Sequence, residues 1–366
     1  MFFLFVTGSA RKNENIFGSI HASAEFLANI KSCYYDLCVT ELLQIRSAKV
    51  GLPTTSGWVY PVDDVSLKIA AGESLGLVGE SGSGKTMLSL AVMGLLPREA
   101  RVSGEILLHA QAANGNAASA AKNLTALTEE EWRSVRGREA AMIFQEPMTS
   151  LNPVMRIGVQ IEEAIRAHEP GLNAADVQKR LLQALEHAAV PEPQMRAKQF
   201  PHQLSGGLRQ RAMIAMALSA RPILLIADEP TTALDVTVQK QILELLDRLR
   251  KDFGLGLLFI THDLGVVAQV ADRVAVMYAG RIVEQGPVPT VLTKPAHPYT
   301  QGLLAASPTL LRGKLTPIPG TVPSLTALPP GCAFAPRCTF HRAECDAQVP
   351  EFRPAGPEQS ARCILL

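Results

Sequence analysis

The chain has 366 residues, 47% of them hydrophobic and 19% charged, with a formal net charge of +1. That balance excludes a disordered or fibrous protein and leaves room for about two or three domains. It also argues against a broad nucleic-acid-binding surface. No apolar run approaches the ~18–20 residues that cross a bilayer. The opening Met1-Phe2-Phe3-Leu4-Phe5-Val6 is short and has no basic residue ahead of it, unlike a signal peptide. The expectation is a chain that stays in the cytoplasm and meets a membrane only through partners.

Residues 1–40 show no periodicity, carry Cys33 and Cys38, and read as a poorly ordered extension. From Glu41 the pattern changes. Leu42-Leu43-Gln44-Ile45 and the alternating Val65-Ser66-Leu67-Lys68-Ile69 predict strands. After the turn Ala71-Gly72-Glu73 comes an apolar run, Ser74–Val78, that predicts a buried strand. The next residues are Gly79-Glu80-Ser81-Gly82-Ser83-Gly84-Lys85-Thr86, and then helix-forming residues from Met87 to Met93. Strand, glycine-rich loop, helix is the context a P-loop requires. Glycines let consecutive N–H groups turn inward on phosphate oxygens, and the following helix adds its positive dipole end. Lys85 would reach the β- and γ-phosphates, and the Thr86 hydroxyl would ligate Mg²⁺. A glycine-rich turn with an incidental lysine is the alternative.

Residues 109–123, rich in Ala and Asn, predict a surface insertion. Ala141–Phe144 predicts a strand ending at Gln145, before the structure-breaking Glu146-Pro147 and Leu151-Asn152-Pro153. From Ile157 to about Ala189 the period is helical, interrupted at Pro170-Gly171. Ile223–Ala227 predicts a buried strand ending in Asp228-Glu229. Such a pair is ordinarily a solvated strand end. Behind a P-loop it fits a Walker B strand, with Asp228 on Mg²⁺ and Glu229 deprotonating a water. Gln239–Arg250 is an amphipathic helix, and Leu257–Ile260 a buried strand ending at Thr261-His262-Asp263. His262 at the carboxyl edge of a parallel sheet stands where ligands bind, though a structural histidine is also possible there.

Between the two nucleotide motifs stands Leu204-Ser205-Gly206-Gly207-Leu208-Arg209-Gln210-Arg211, a second helix start suited to an anion. One nucleotide has no use for two such sites, but a head-to-tail dimer does. This stretch resembles the signature motif of ABC ATPases, and the rest follows in that family's order. Gln145 matches the Q-loop, Ala233-Leu234-Asp235 the D-loop and His262 the switch histidine, with resemblance running from about Glu41 to Pro287. The resemblance implies an α/β P-loop core, RecA-like with a parallel sheet plus an antiparallel β portion, carrying a helical subdomain at about 146–220 in a nucleotide-binding domain of 41–290. It implies ATP and Mg²⁺ as cofactors. Lys85 and residues 79–86 would cradle phosphate, and Thr86, Asp228 and Gln145 would attend the metal. Glu229 would be the general base and His262 the γ-phosphate contact. Asp235, Ser205, Gly206 and Gly207 would serve the composite dimer site. The family's adenine-stacking aromatic falls near Leu52, which is no aromatic, so Tyr60 or Trp58 is the candidate.

Phe144–Pro153, Pro201-His202-Gln203 and His297-Pro298-Tyr299-Thr300 followed by Leu303-Leu304 resemble the oligopeptide/dipeptide importer branch, which nickel importers share. That branch implies a C-terminal extension over 291–366, a second ATPase subunit, two transmembrane permeases and an extracytoplasmic binding protein. The site of action would be the cytoplasmic face of the membrane. A soluble ABC ATPase acting on nucleic acid is the rival, disfavoured by the single cassette and the absence of surplus charge. Four cysteines, Cys332, Cys338, Cys345 and Cys363, lie in the tail with five, six and seventeen residues between them. A cytosolic chain disfavours a disulfide framework; four cysteines in a compact tail suit Zn²⁺ or an iron–sulfur cluster, though the spacing matches neither common zinc pairs nor ferredoxin runs. Relatives with a similar tail point to [4Fe–4S], and reduced surface cysteines are the plain alternative.

Overall fold

Why the central strands are apolar throughout becomes plain from what covers them. In strand β7 (Leu224–Asp228), Leu225 and Ala227 join one hydrophobic core while Leu224 and Ile226 join another on the opposite face. Strand β8 (Gly256–Thr261) alternates the same way, Leu257 and Phe259 against Leu258 and Ile260. A sheet buried on both faces needs apolar residues at every position.

The computed structural model describes residues 41–55, 57–109, 121–146, 150–232, 234–307 and 316–366. The expected extension at 1–40, most of the insertion at 109–123, Pro147–Thr149 and Ala233 lie outside them. Two sheets are present. Strands β1 (Glu41–Thr54), β2 (Gly57–Ala70), β4 (Arg101–Leu108) and β5 (Lys122–Asn123) form an antiparallel sheet in the order β2-β1-β4-β5. The second sheet has the order β11-β12-β10-β9-β3-β8-β7-β6. In it β3 (Ser74–Val78), β6 (Ala140–Ile143), β7, β8 and β9 (Arg273–Tyr278) run parallel. Strand β10 (Arg281–Pro287) and the short β11 (Arg353–Gly356) and β12 (Gln359–Ala361) extend it antiparallel. The mixed α/β architecture with a parallel core and an antiparallel portion is the expected one.

Helix α1 (Lys85–Val92) follows β3, and the capped α2 (Glu129–Val135) precedes β6. The predicted helical stretch is two helices, α3 (Ile157–His168) and α4 (Ala174–His187), broken where Pro170-Gly171 breaks the period. A one-turn α5 (Pro193–Arg196) leads to α6 (Gly206–Leu218). Then α7 (Val236–Phe253) and α8 (Leu264–Val270) pack against the sheet's first core. Both α7 and α6 start on side-chain caps, from Asp235 and Ser205.

Residues 316–334 hold no helix or strand, as the prolines of the tail suggest, but the tail is no loose appendage. Strand β12 pairs with β10, Gln359 Nε2 donates to the buried Glu284 carboxylate at 2.8 Å, and Arg362 donates to Asp64 at 2.6 Å. Glu284 also accepts the backbone N–H groups of Ala296 and His297, each at 2.9 Å. Between lie α9 (Val288–Thr293) and α10 (Pro298–Ala306), and α11 (Glu344–Ala347) follows. The His-Pro-Tyr stretch has a division of labour. His297 Nδ1 accepts the Tyr299 N–H at 3.0 Å and so caps α10, Pro298 occupies the first turn, and Tyr299 is wholly buried.

Candidate active site

Parallel strands β3, β7 and β8 end side by side, with Val78 opposite Thr261 and Asp228 opposite Ile260. Their carboxyl ends deliver Gly79, Asp228-Glu229 and His262 to one edge of the sheet, the place where such sheets bind ligands.

Space dictates two of the loop glycines. A Cβ on Gly84 (φ 106°) would lie 1.9 Å from the Pro61 carbonyl oxygen, and one on Gly79 2.2 Å from that of Met277. Helix α1 starts at Lys85 with no side chain capping it, so its leading N–H groups remain available to an anion. Lys85 is buried, and its Nζ donates to Gly79 O at 2.7 Å, Glu80 O at 3.0 Å and Ser83 Oγ at 3.3 Å. Burial pulls its pKa down, opposed by the charges of Glu229, Asp228 and Glu80. Ser81 and Gly82 are exposed at the loop. Glu80 is fastened from outside the loop: its N–H donates to the Tyr299 hydroxyl at 2.9 Å, and Arg337 forks its carboxylate at 2.6 and 3.0 Å.

The Thr86 side chain lies beside the Asp228 carboxylate and favours its charged form. Asp228 is 2% exposed, and burial raises its pKa, with Thr86 and Lys85 pulling the other way. Its Oδ1 is buried without a hydrogen-bond partner among the described residues. An orphaned carboxylate oxygen beside a hydroxyl suits a hard divalent cation, so these two residues fit Mg²⁺.

Glu229 is the meeting point. Its backbone is left-handed (φ 46°), a conformation that costs a non-glycine residue energy. Oε2 accepts from Gln145 Nε2 at 3.3 Å and from the Thr232 hydroxyl at 2.9 Å, and lies 3.4 Å from His262 Nδ1. The three residues expected to act together, Gln145, Glu229 and His262, are thus gathered around one carboxylate. Gln145 addresses Glu229, and no hydrogen bond joins it to Thr86 or Asp228 among the described residues. The sequence does not single out Thr232, because a threonine after Asp-Glu-Pro-Thr offers no distinctive signal.

Ser205, Gly206 and Gly207 open α6, with Ser205 Oγ accepting the Leu208 N–H at 3.3 Å. A Cβ on Gly207 would come within 2.8 Å of Val238 on α7, whose cap is Asp235. The signature residues therefore lie against the helix that Asp235 starts. Among the described residues no hydrogen bond joins Ser205–Gly207 to residues 79–86 of the same chain. Tyr60 is 39% exposed on β2, one residue before the Pro61 carbonyl that borders Gly84, with Lys49 Nζ 4.0 Å from its ring centre. Trp58 carries the Arg101 guanidinium 4.0 Å over its ring.

Cys332, Cys338, Cys345 and Cys363 are all free thiols and line one small cavity of about 20 Å³, walled also by Phe334, Pro298 and Ile364. Burial raises the pKa of Cys332, Cys338 and Cys363. Among the described residues no group of three or more His, Cys, Asp or Glu side chains is arranged to hold a metal ion. The thiols surround a water-sized space and do not converge on one point, so the expected zinc or iron–sulfur site is not formed in this arrangement.

The comparisons agree with this geometry. Residues 62–232 match the ABC transporter family model, and residues 283–345 match the oligopeptide/dipeptide transporter C-terminal region. A Brucella ovis protein named as a peptide import ATP-binding protein is 48% identical over 333 residues, covering 88% of this chain and 96% of the relative. The oligopeptide transport ATP-binding protein OppD of Bacillus subtilis is 50% identical over 307 residues, 82% of each chain. Among solved structures, the dimeric ATP-binding cassette MJ0796, described as post-hydrolysis and bound to ADP and Pi, superposes with TM-score 0.57 at 26% identity. It covers 68% of this chain and 99% of that one. With its P-loop, its buried Asp228 and its Glu229 cluster, the chain belongs to the ABC transporter family as an ATP-hydrolysing cassette of the oligopeptide/dipeptide transporter group.

Proposed function

We propose that this chain energises import of di- or oligopeptides across the cytoplasmic membrane, working from its inner face as one ATPase of a multi-subunit transporter. The observation that carries the ATPase chemistry is the gathering of Gln145, Thr232 and His262 on Glu229 beside Lys85 and the Thr86–Asp228 pair. Lys85 leaves its loop carbonyls for the β- and γ-phosphates, and the amides of residues 79–86 close on the same oxygens. Glu229 takes the proton of the attacking water, held in place by the Thr232 hydroxyl and the Gln145 amide. His262 reaches from the neighbouring strand end to the γ-phosphate. Mg²⁺, when bound at Thr86 and Asp228, neutralises phosphate charge.

A second ATPase subunit supplies the missing half of each site. Ser205–Gly207 finds no use on its own P-loop, and Asp235 stands exposed beside it, so a head-to-tail pair is the arrangement that employs both. For the adenine we assign Tyr60, exposed and next to the loop. Residues 41–290 then form the nucleotide-binding domain, with its helical part at about 146–220, and 291–366 the branch-specific extension.

Two permease subunits would receive the motion. No helix among the described residues is long and apolar enough to cross a membrane. A groove of about 240 Å³ lined by Leu95, Met142, Phe144, His168, Met213 and Met216 lies between β6 and the helices α3 and α6, next to Gln145. Its apolar lining suits a short helix of a membrane partner. Peptide is favoured over nickel because the curated relatives are named for peptide and oligopeptide transport. For the tail we propose ligation of an iron–sulfur cluster, or of zinc, by the four cysteines: they share one cavity, and the thiols would have to rearrange around the metal on binding. Iron and acid-labile sulfide assays on anaerobically purified protein test it, and absence of both leaves reduced cysteines.

The test of the transport reading is a tagged pull-down from gently solubilised membranes with mass spectrometry. Two integral membrane proteins and a second ATPase are expected, and recovery of soluble or nucleic-acid-bound partners alone would refute the import assignment.

A further inference from the structure

Glu80 is the second residue of the P-loop, and every polar group it owns is engaged. Its carbonyl accepts from Lys85 Nζ at 3.0 Å and from the Ser83 N–H at 3.2 Å. Its N–H donates to Tyr299 Oη at 2.9 Å, and its two carboxylate oxygens receive Arg337 Nη1 at 2.6 Å and Nη2 at 3.0 Å. The first two partners belong to the loop. The other two come from the C-terminal segment, Arg337 standing 257 positions further along the chain.

Arg337 is itself immobilised. Its side chain is 4% exposed. Nε donates to the Pro319 carbonyl at 2.8 Å, and Nη1 also reaches the Tyr278 hydroxyl at 3.3 Å. The guanidinium lies 5.8 Å from the Tyr278 ring centre and 5.9 Å from that of Phe334. Tyr278 and Phe334 in turn pack against Tyr299. A planar fork held on its other edge and on its faces fixes the direction of the carboxylate it grips. The buried Tyr299 ring likewise fixes its hydroxyl. A surface ion pair would do nothing of the kind, because two mobile side chains would share the motion.

We propose that Arg337 and Tyr299 are positioning residues of the ATP site, holding the Glu80 peptide so that Lys85 and the loop amides are set for phosphate before nucleotide arrives. The clamp touches neither Glu229, Gln145 nor His262, so its contribution belongs to nucleotide binding and leaves the bond-breaking step alone. It is supplied by the segment that distinguishes this group from a bare cassette. It rests on the reading of residues 79–86 as the ATP-binding loop.

The experiment uses the full chain, measuring ATP affinity by calorimetric titration, KM and kcat for hydrolysis, and thermal midpoint. Arg337→Met is expected to weaken ATP affinity and raise KM by about fivefold or more, with kcat within about twofold of wild type. Arg337→Lys, which keeps the charge and loses the fork, should recover part of that affinity. Tyr299→Phe removes only the hydroxyl and should weaken ATP binding in the same direction, which keeps the test available if Arg337→Met folds poorly. Glu80→Gln combined with Arg337→Met should be no worse than the weaker-binding single variant, as for two residues of one interaction. Unchanged ATP affinity in Arg337→Met and Tyr299→Phe, with only the thermal midpoint lowered, overturns the proposal and leaves the contacts a structural role. Additive losses in the double variant overturn it too. Failure of the wild-type chain to bind ATP would strike the loop assignment instead.

Discussion

Gln145 Nε2 stands 3.3 Å from Glu229 Oε2, so the second residue past strand β6 and the residue after strand β7 meet at one oxygen atom. That oxygen also takes the Thr232 hydroxyl. Glu229→Gln would keep the size and these neighbours but remove the base. Turnover is expected to fall by about a hundredfold or more, with ATP affinity retained. Single-turnover hydrolysis with parallel ATP titration checks both halves, and near-normal hydrolysis would overturn the base assignment.

Lys85 donates to three loop oxygens that, on the proposed reading, it trades for phosphate. Lys85→Ala removes the only side-chain cation of the loop itself. ATP affinity is expected to fall by about tenfold or more, read by titration without hydrolysis. Unchanged affinity would count against the cradle.

Thr232 has one visible task at this site, donating at 2.9 Å to the Glu229 carboxylate, the proposed base. Thr232→Val keeps the shape and loses the donor. A fall in kcat of about three- to tenfold with KM unchanged is expected, the pattern of an interaction that matters chiefly in the transition state. A change confined to KM would place Thr232 in nucleotide binding.

His297 gives the fold a pH dependence whose direction is fixed. Burial pushes its pKa from the usual 6.5 down to about 4, so the folded chain keeps it neutral. The unfolded chain binds the proton near pH 6.5, the folded one only near 4, and stability present above that window is lost as pH falls through it. Between pH 7.5 and pH 5 the histidine should cost about 2 kcal/mol of stability. His297→Asn, which keeps an acceptor for the Tyr299 N–H, should flatten that dependence in urea denaturation. Parallel pH profiles for the two chains would refute it.

The parts of this molecule that could be read along the chain are those governed by near neighbours. Apolar runs at 74–78, 223–227 and 257–260 are too short for a buried helix of ordinary length and form strands of a sheet covered on both faces. Gly79 and Gly84 stand where the backbone of Met277 and Pro61 leaves no room for a side chain. The order of motifs then located Gln145, Glu229 and His262 before their meeting was visible. What remained hidden depends on distant partners. Nothing near Arg337 announces Glu80, and nothing in Gln359 or Arg362 announces Glu284 or Asp64. Four cysteines within one short tail suggest a shared site though their spacing matches no common metal motif, and the four thiols do share a cavity whose size the sequence does not convey.

The clamp on Glu80 also bears on how the chain is made. A ribosome releases the P-loop long before Arg337, with 257 positions between the two halves of the ion pair. Folding that proceeds from the amino end during synthesis would therefore leave the nucleotide loop unfastened until the tail emerges. A prematurely ended product would carry every nucleotide motif and still hold ATP poorly. Such a fragment would compete weakly for nucleotide with the full chain.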